Sequence, residues 1–502
     1  MTAFNRMNTV LEPPGAAPVA DGGFGGTPMN PLSPDLNFDP RFEDPRELAA
    51  LNRRGFLGRF LGGTLAGAAL LSLGTKSARA SVDMNDMGAA AAPDDEQFWK
   101  LVTKQFLIRP DLAYMNTGTR GPSPRSVHMA QIDALNRLNN DYVDFRLNHY
   151  TMDFADAFMA KFAAYVGCKP NELALANNTT DGMITGTFGP VLEPGDEILY
   201  TNHCHGAGTN PVLNRAHRDK LKVGVIDLSD PKLHPPKSPD DLLKAFEAAI
   251  TPRTKLLSFC HTNYTDGLFM PVKEICEMAR SKGVITLVDG AQPPGMVKLD
   301  MHDLGCDMYA GPSHKWMLAS MQSGFFYVKE DMFDRIQPVT STTPFAGKNM
   351  YGEDLSTNER WLERMNSAGQ YTRRGSSCYA KWTAVNAALD FHNHLTPEGI
   401  EARIRYLAGK LAMGLRNIDG VEVFASEDPR LHAGLIPFRI KGVPTRDLNT
   451  KLLEDYNIYI RSVTHLQVGW DANRASMHIM VTAAEVDKIL GAVEEISKSV
   501  NG

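Results

Sequence analysis

The chain has 502 residues, with 52 Lys and Arg against 58 Asp and Glu, so its net charge at neutral pH is −6. Apolar side chains make up 43% of the sequence, enough for the core of a globular chain with more than one domain. The weak negative charge and the lack of a long basic run argue against nucleic acid, or an anionic membrane surface, as a partner. The 6 cysteines show no metal-ligand spacing, so no metal site is predicted.

Residues 1–51 are predicted to form a disordered extension. The first 45 residues contain 8 Pro and 5 Gly, and this density of helix and strand breakers is typical of chain segments that bury no core. No chemistry is assigned to this segment.

Residues 52–80 have the pattern of a twin-arginine signal peptide. The pair Arg53-Arg54 precedes a short apolar stretch, and the segment ends in the small-residue pattern Ala78-Arg79-Ala80. We therefore expect the twin-arginine translocase to deliver the chain to the periplasm, with cleavage after Ala80. The apolar stretch is too short to span a bilayer comfortably, so no stable membrane insertion is predicted. The alternative interpretation is a buried hydrophobic helix at the edge of a domain.

Residues 112–391 are predicted to form a large α/β domain, with residues 81–111 as a segment that packs on a smaller domain. In the large domain, β-rich runs alternate with amphipathic helical stretches, which is typical of a mostly parallel sheet covered by helices. One such helix is Pro239–Ile250, with Ser238 as its N-cap. The candidate strands are Glu172–Ala176, Glu197–Tyr200, Lys222–Ile226, Lys255–Phe259, Val284–Val288 and Gly324–Val328.

Residues 392–502 are predicted to form a smaller α+β domain. A long helix, Pro397–Ile418, is followed by strands near Val421–Phe424 and Leu435–Ile440. A last helix is expected after the capping pattern Thr482-Ala-Ala-Glu485. No glycine-rich fingerprint follows a strand in either domain, which argues against a nicotinamide-binding Rossmann site.

The residues that indicate chemistry follow a predicted strand that ends at Asp289. This position puts a carboxylate at the carboxyl edge of the sheet, where open α/β sheets bind ligands. Gln292 follows three residues later, and Lys315 lies 26 residues beyond Asp289. A lysine that forms a Schiff base with pyridoxal phosphate, and an aspartate that keeps the pyridine nitrogen protonated, make this cofactor an electron sink. Gln292 is then placed to donate a hydrogen bond to the ring oxygen.

Two further segments supply candidate contacts for the cofactor. Thr179 and Thr180 open a helical stretch directly after a strand, so hydroxyls and backbone N–H groups converge there on a phosphate. At the end of the next strand, His203 and His205 are candidates for an imidazole stacked on the pyridine ring. The ordinary alternatives are a helix cap for the threonines and a structural strand-end histidine.

From about Tyr114 to Leu490 the sequence resembles the class V aminotransferase family of pyridoxal-phosphate enzymes, which have fold type I. The resemblance is carried by Asp-Gly-Ala-Gln at residue 289, His-Lys-Trp at residue 314, the Asn-Thr-Thr turn at residue 178 and the block Pro-Gly-Asp-Glu-Ile-Leu-Tyr at residue 194. The segments Tyr-Met-Asn-Thr-Gly-Thr at residue 114 and Arg-Ala-Ser-Met-His at residue 474 are most similar to the isopenicillin N epimerase-like branch.

The resemblance implies a role for each matching residue. Lys315 is the Schiff-base lysine, and His205, rather than His203, is the residue stacked on the ring. Arg474 contacts the substrate carboxylate, and Asn116 is assigned to the substrate as well. Ser376, in Gly375-Ser376, reaches the phosphate of the neighbouring subunit and so implies a homodimer. The other implied cofactor contacts are Asp289, Gln292, Thr179, Thr180 and His314.

The sequence departs from the family pattern in three places. Pro312 stands where relatives often carry a serine or asparagine that contacts the phosphate. Gly375-Ser376-Ser377, preceded by Arg373-Arg374, replaces Gly-Thr-Arg, which changes the expected substrate-side contacts. Separately, Arg373, Arg374, Arg461 and His261 are candidates for lining the pocket. The interval from Arg461 to Arg474 has no cysteine, which disfavours a cysteine desulfurase.

The predicted function is therefore that of a pyridoxal-phosphate enzyme acting on an amino acid or an amino-acid-containing compound. Deprotonation at the α-carbon would lead to an epimerase-like or side-chain-tailoring reaction. Because the resemblance is to exported enzymes that modify side chains, we expect a peptide-like substrate. Aminotransferase and lyase reactions begin with the same step and remain alternatives. A catalytically inactive binding protein on the same fold is the alternative from another class.

Overall fold

The computed structural model describes residues 92–229, 235–339 and 366–501. These residues belong to one compact unit, Ala78–Gly502. The predicted extension and signal peptide lie outside the described residues. Among the helices in the described parts of the chain, none is long and apolar enough to cross a bilayer.

Most of the strands in the described parts of the chain belong to one central sheet and one smaller sheet. The strands are β1 (Ala113–Tyr114), β2 (Leu173–Ala176), β3 (Glu197–Thr201), β4 (Lys222–Ile226), β5 (Thr254–Cys260), β6 (Ile285–Asp289), β7 (Met308–Pro312), β8 (Gly324–Val328), β9 (Val421–Val423), β10 (Leu435–Ile440), β11 (Ile458–Tyr459), β12 (Arg461–His465) and β13 (Trp470–Ser476).

The central sheet has seven strands in the order β2-β8-β7-β6-β5-β3-β4. The neighbours from β4 to β7 are parallel, whereas β8 runs antiparallel to both β7 and β2. Six strands therefore point the same way. This mostly parallel sheet confirms the α/β fold class predicted from the sequence.

The predicted strands agree with β2 to β6 and β8 to within one or two residues at their ends, but β7 was not predicted. Its sequence, Met-Tyr-Ala-Gly-Pro, combines two residues that disfavour strands. Pro312 is tolerated because it is the last residue of the strand. All five residues of β7 are buried between β6 and β8, so tertiary packing overrides their weak strand preference.

Helices cover both faces of the central sheet. On β8 the side chains alternate between two apolar clusters, with Phe325 and Tyr327 in one and Phe326 and Val328 in the other. The helices of the described chain are α1 (Glu96–Thr103), α2 (Arg125–Asn140), α3 (Tyr142–Asp144), α4 (Met152–Val166), α5 (Thr179–Phe188), α6 (Gly206–Asp219), α7 (Pro239–Ala249), α8 (Val272–Ser281), α9 (Met301–Leu304), α10 (Gly369–Thr372), α11 (Tyr379–Leu395), α12 (Pro397–Arg416), α13 (Thr445–Tyr456) and α14 (Ala483–Asn501).

The smaller sheet is antiparallel and has the order β12-β13-β10-β9. Helices α12 and α13 pack against it, and α14 packs against both of these helices, as expected for an α+β region. The predicted capping pattern starts α14, since Thr482 N donates to Glu485 Oε2 at 2.8 Å and Glu485 N donates to Thr482 Oγ1 at 3.2 Å. The predicted division at residue 391 falls inside α11, a continuous helix that contacts α4 and α12.

The segment before the central sheet contacts the C-terminal helices. Glu96 of α1 accepts a hydrogen bond from Arg403 of α12. It accepts another, at 3.1 Å, from the backbone N of Ala483. Farther along, β1 pairs in parallel with β11. These contacts place residues 115–119, which follow β1, beside the smaller sheet.

Candidate active site

The carboxyl ends of three neighbouring parallel strands meet at one edge of the central sheet. β6 ends at Asp289, whose register partner is Cys260, the last residue of β5. β7 ends at Pro312, three residues before Lys315. The topology thus brings Asp289 and Lys315 to the edge where α/β sheets bind ligands.

Asp289 is buried, with 3% of its surface exposed. Its Oδ1 accepts a hydrogen bond from Ala291 N at 2.9 Å. Gly208 borders the other oxygen, because a Cβ added at this glycine would lie 3.4 Å from Oδ2. Burial raises the pKa of Asp289, while the Ala291 amide and the Lys315 ammonium oppose the rise. A ring N–H group at Oδ2 would therefore favour the ionised carboxylate.

The amine of Lys315 has no hydrogen bond or ion pair with another described residue. Burial lowers the pKa of Lys315 to about 8, and the positive charges of Arg474 and Arg461 act in the same direction, against the attraction of Asp289. A lysine with such a pKa is neutral for part of the time at neutral pH. It is therefore suited to act as a nucleophile and as a base.

Gln292 is buried and held at both ends of its amide. Its Oε1 accepts from Trp316 Nε1 at 2.8 Å, and its Nε2 donates to Gly118 O at 3.1 Å. An amide nitrogen carries two hydrogens, so one of them remains for another acceptor. The predicted contact with a cofactor oxygen is compatible with this arrangement.

The predicted phosphate contacts Thr179 and Thr180 are the first two residues of α5, which starts just after β2. Asn178 caps this helix by accepting from Asp181 N at 3.0 Å. The other amides of the first turn are available to an anion because a helix start leaves its first N–H groups without helical partners. Arg374 donates to Asp181 Oδ1 at 2.9 Å, so this predicted pocket residue lies at the start of α5.

His314 is held by one ring nitrogen. Its Nδ1 lies 3.2 Å from Ser323 O, and since a carbonyl only accepts, Nδ1 carries the hydrogen. Desolvation and the nearby Lys315 lower the pKa of His314 to about 4, so the ring is neutral and Nε2 is an acceptor. The predicted contact of His314 with a phosphate therefore requires that the phosphate first raise this pKa.

Ser376 belongs to an exposed segment of the chain. Residues 373–378 are all exposed. Ser376 lines a cavity of about 550 Å³ together with Asn177, Asp181 and Lys381, whereas Lys315 and Asp289 are not part of its lining. Within one chain, the cavity thus joins Ser376 to the start of α5, where Thr179 and Thr180 lie, but not to Lys315 or Asp289.

The two candidate histidines after β3 have different surroundings. Both ring nitrogens of His203 are occupied, with Nδ1 2.7 Å from Thr265 Oγ1 and Nε2 2.9 Å from Ser229 Oγ. His205 keeps part of its surface open to solvent although protein surrounds its ring, and its Nδ1 accepts from Ala207 N at 3.2 Å. Desolvation by the surrounding protein and the nearby Lys315 lower the pKa of His205 to about 4, so it is neutral. His205 is thus the histidine that is open to a ligand.

Arg474 lies inside β13. The residue is 1% exposed, and its Nη1 donates to Tyr264 O at 2.6 Å. Its Nη2 lies 3.4 Å from Thr119 Oγ1, and the Thr119 hydroxyl donates to Asn116 Oδ1 at 2.8 Å. The structure therefore brings the two predicted substrate residues, Arg474 and Asn116, into one hydrogen-bond network.

Three contributors to the site were not assigned from the sequence. Thr119 was noted only as part of a motif, and Tyr264 acts through its backbone carbonyl, which no sequence pattern reveals. His478 stacks on Trp316 with ring centroids 5.3 Å apart. Of the other candidates, Arg461 joins the site by donating to Thr119 Oγ1 at 3.0 Å, whereas His261 is buried against Tyr309 and Phe269.

Residues 124–489 match the family model "Aminotransferase class-V". The chain belongs to this family. The family assignment, with the mostly parallel sheet, also confirms the predicted enzyme class and the predicted cofactor, pyridoxal phosphate. Among the residues that the structure describes, no cluster of His, Cys, Asp or Glu is arranged to hold a metal ion.

Several known proteins are similar to the chain over most of their length. An isopenicillin N epimerase of Amycolatopsis lactamdurans is 30% identical over 403 residues, which cover 80% of this chain and 99% of that protein. A probable cysteine desulfurase of Xylella fastidiosa is 26% identical over 435 residues, which cover 83% of this chain and 99% of that protein. The solved structure of a cysteine desulfurase from Thermococcus onnurineus has a TM-score of 0.68 at 21% identity, covering 82% of this chain and 100% of that one, and shares the fold.

The described residues fit pyridoxal phosphate. A buried carboxylate with one oxygen beside a glycine suits the ring nitrogen, and the free hydrogen of the Gln292 amide suits the ring oxygen. Lys315 offers an amine without a partner, and the start of α5 offers an anion site.

Proposed function

We propose that the enzyme binds pyridoxal phosphate through Lys315 and acts at the α-carbon of an amino acid or of a compound that contains one, as an epimerase or a side-chain-tailoring enzyme. The observation that carries this proposal is the Lys315 amine. It has no partner among the described residues, its pKa is lowered to about 8, and it lies at the same sheet edge as the buried Asp289.

When bound, the cofactor withdraws electrons from the α-carbon of the attached amine. Asp289 binds the ring N–H group and keeps it protonated, which sustains this withdrawal. Lys315 would hold the cofactor through Nζ, and its neutral amine would serve as the base for the α-proton of the substrate. Arg474 orients the substrate by its carboxylate, so that the α C–H bond faces Lys315.

Two curated relatives carry the name isopenicillin N epimerase, which favours the epimerase reading over the aminotransferase and lyase alternatives. The hairpin β12–β13 also argues against a cysteine desulfurase. It runs from Arg461 to Ser476 with a single short turn and contains no cysteine. The presence of both Lys315 and Asp289 argues against an inactive scaffold. Neither side chain forms an ion pair within 4 Å among the described residues.

The test combines a chemical label with product analysis. Borohydride reduction and peptide mapping of the purified enzyme should label Lys315, and the Lys315→Ala variant should not be labelled. Incubation with single enantiomers of amino acids and short peptides in deuterated water then separates the reactions. An epimerase returns the opposite enantiomer with deuterium at the α-carbon, whereas an aminotransferase yields an oxo acid. A protein that takes up no cofactor would refute the proposal.

We also propose that two chains form a two-fold dimer in which each Ser376 completes the partner's phosphate site. The exposure of residues 373–378 supports this, because an exposed segment is open to contact with a second chain. Mixing Lys315→Ala chains with Ser376→Asp chains should restore one intact site in each mixed dimer. If the site were complete within one chain, no mixture of the two variants would regain activity.

Finally, we propose periplasmic delivery by the twin-arginine translocase with cleavage after Ala80, based on Arg53-Arg54 and Ala78-Arg79-Ala80. A route for folded proteins suits an enzyme that receives its cofactor before export. Changing Arg53 and Arg54 to Lys should retain an active enzyme in the cytoplasm. Unaltered periplasmic delivery of this variant would contradict the proposal.

A further inference from the structure

Arg461 and Arg474 lie side by side in the smaller sheet. They are register partners on the antiparallel strands β12 and β13. Both guanidinium groups contact the same atom, Thr119 Oγ1, at 3.0 Å from Arg461 Nη1 and 3.4 Å from Arg474 Nη2. The hydrogen of this hydroxyl is donated to Asn116 Oδ1 at 2.8 Å. Two cations thus share one neutral acceptor.

No carboxylate of the described residues forms an ion pair with either arginine. Apart from Thr119, Arg474 contacts the carbonyl of Tyr264, and its buried Nε has no hydrogen-bond partner. Burial and the positive charge of Arg461 lower the pKa of Arg474 to about 9. Burying the Arg474 guanidinium beside the partly buried Arg461 without an anion is unfavourable, so the arrangement is suited to ligands that bring negative charge.

The other charged groups near the pair do not neutralise it. Lys315 adds positive charge, and the charge of Asp289 acts on Lys315. His205 is neutral because its Nδ1 accepts a hydrogen bond from a backbone N–H group. One substrate α-carboxylate would balance only one of the two guanidinium charges.

We propose that Arg461 and Arg474 bind two different anionic groups of one substrate. The substrate is then an amino acid, or a compound containing one, with an α-carboxylate and a second acidic group. This inference rests on the proposed function. Arg474 is buried and fixed by Tyr264, so it binds the α-carboxylate. Arg461 is only partly buried and lies on the edge strand β12, so it binds the second acidic group.

The experiment uses matched pairs of ligands that differ only in the second charge. L-glutamate and L-glutamine, and glutarate and its monoamide, are titrated into the holoenzyme by calorimetry and by the absorbance of the bound cofactor. We expect each acid to bind about tenfold more tightly than its amide, the size of effect for one charge-assisted contact. Arg461→Met should abolish most of this preference, whereas Arg474→Met should weaken glutamate and glutamine alike.

Two controls separate charge from folding. Arg461→Lys keeps the charge and should retain part of the preference. Arg439→Met removes an arginine from β10 in the same sheet, where it pairs with the exposed Glu422, and should leave the preference unchanged. Equal affinity for the acid and its amide would overturn the inference, and so would the absence of binding by either ligand. An Arg461→Met variant that loses affinity for both ligands equally would also overturn it, because the two arginines would then share one carboxylate. A chain that takes up no cofactor refutes the proposed function instead.

Discussion

Trp316 holds the amide of Gln292 in a single orientation. An indole N–H group can only donate, so its 2.8 Å contact fixes the amide oxygen towards Trp316 and the amide nitrogen towards Gly118. Trp316 in turn stacks on His478, whose Nε2 donates to the Trp316 carbonyl at 2.9 Å. The residue that follows Lys315 therefore positions the residue assigned to the ring oxygen.

Replacing Trp316 with Phe should disturb the cofactor environment as well as stability. The Gln292 oxygen would lose its donor in a buried place, and we expect the free energy of unfolding to fall by about 1–3 kcal/mol. The cofactor absorbance should shift, because Gln292 is no longer held. Trp382→Phe is the matched control, since its indole donates to the exposed Ser377 at 3.2 Å. An unchanged cofactor spectrum in Trp316→Phe would contradict a positioning role.

Gly208→Ala should weaken cofactor binding without unfolding the protein. The added methyl group would lie 3.4 Å from Asp289 Oδ2, an ordinary contact within the protein, but it would occupy space needed by a ring at that oxygen. We expect a lower cofactor affinity at nearly unchanged thermal stability of the cofactor-free chain. Gly206→Ala is the control in the same helical turn, since its nearest neighbour is Asn210 Nδ2 at 3.5 Å. Equal cofactor affinities in the two variants would argue against this position for the ring.

Attachment of the cofactor to Lys315 should become faster as the pH rises through about 8. Burial lowers the pKa of this lysine to about 8, and only the neutral amine attacks an aldehyde. The rate, followed by absorbance after adding pyridoxal phosphate to the cofactor-free protein, should level off above that pH. Arg474→Met removes a positive charge near Lys315 and should move the midpoint to higher pH. A midpoint near the usual lysine pKa of about 10.4 would contradict the lowered value.

The sequence predicts the elements whose pattern is local and misses the contacts made over long separations. Strand ends such as Asp289 can be identified because buried strands read as short apolar runs, and β7 was missed because Gly311 and Pro312 obscure that pattern. The network at Arg474 could not be derived, since Tyr264 lies 210 positions away and Thr119 lies 355 positions away. Such pairings follow from how the two sheets are joined, which no local periodicity encodes.

Arg474→Ala should reduce catalysis while leaving the cofactor in place. The guanidinium orients the substrate carboxylate, so its loss weakens binding and also misplaces the α C–H bond. We expect kcat/KM to fall by about 2–4 kcal/mol in free-energy terms, with cofactor absorbance unchanged. The kinetics of Arg374→Ala serve as a comparison, because this arginine contacts Asp181 at the start of α5, whereas Arg474 belongs to the network at Thr119. Normal kinetics in Arg474→Ala would mean that Arg461 holds the carboxylate instead.

Cofactor binding should take up a proton at His314. In the cofactor-free chain the pKa of His314 is about 4, because desolvation and Lys315 disfavour the charged ring, and Nε2 is then an acceptor. A phosphate dianion next to Nε2 favours the imidazolium and raises the pKa of His314. Binding therefore takes up protons between about pH 4 and the raised value, and affinity rises as the pH falls through the raised value towards 4. Calorimetry in two buffers of different ionisation enthalpy measures this uptake, and inorganic phosphate can replace the cofactor as a probe. His314→Asn, which can donate a hydrogen bond without titrating, should bind the phosphate group with little proton uptake. If wild type and His314→Asn show the same uptake, the proton is bound elsewhere and His314 does not contact the phosphate.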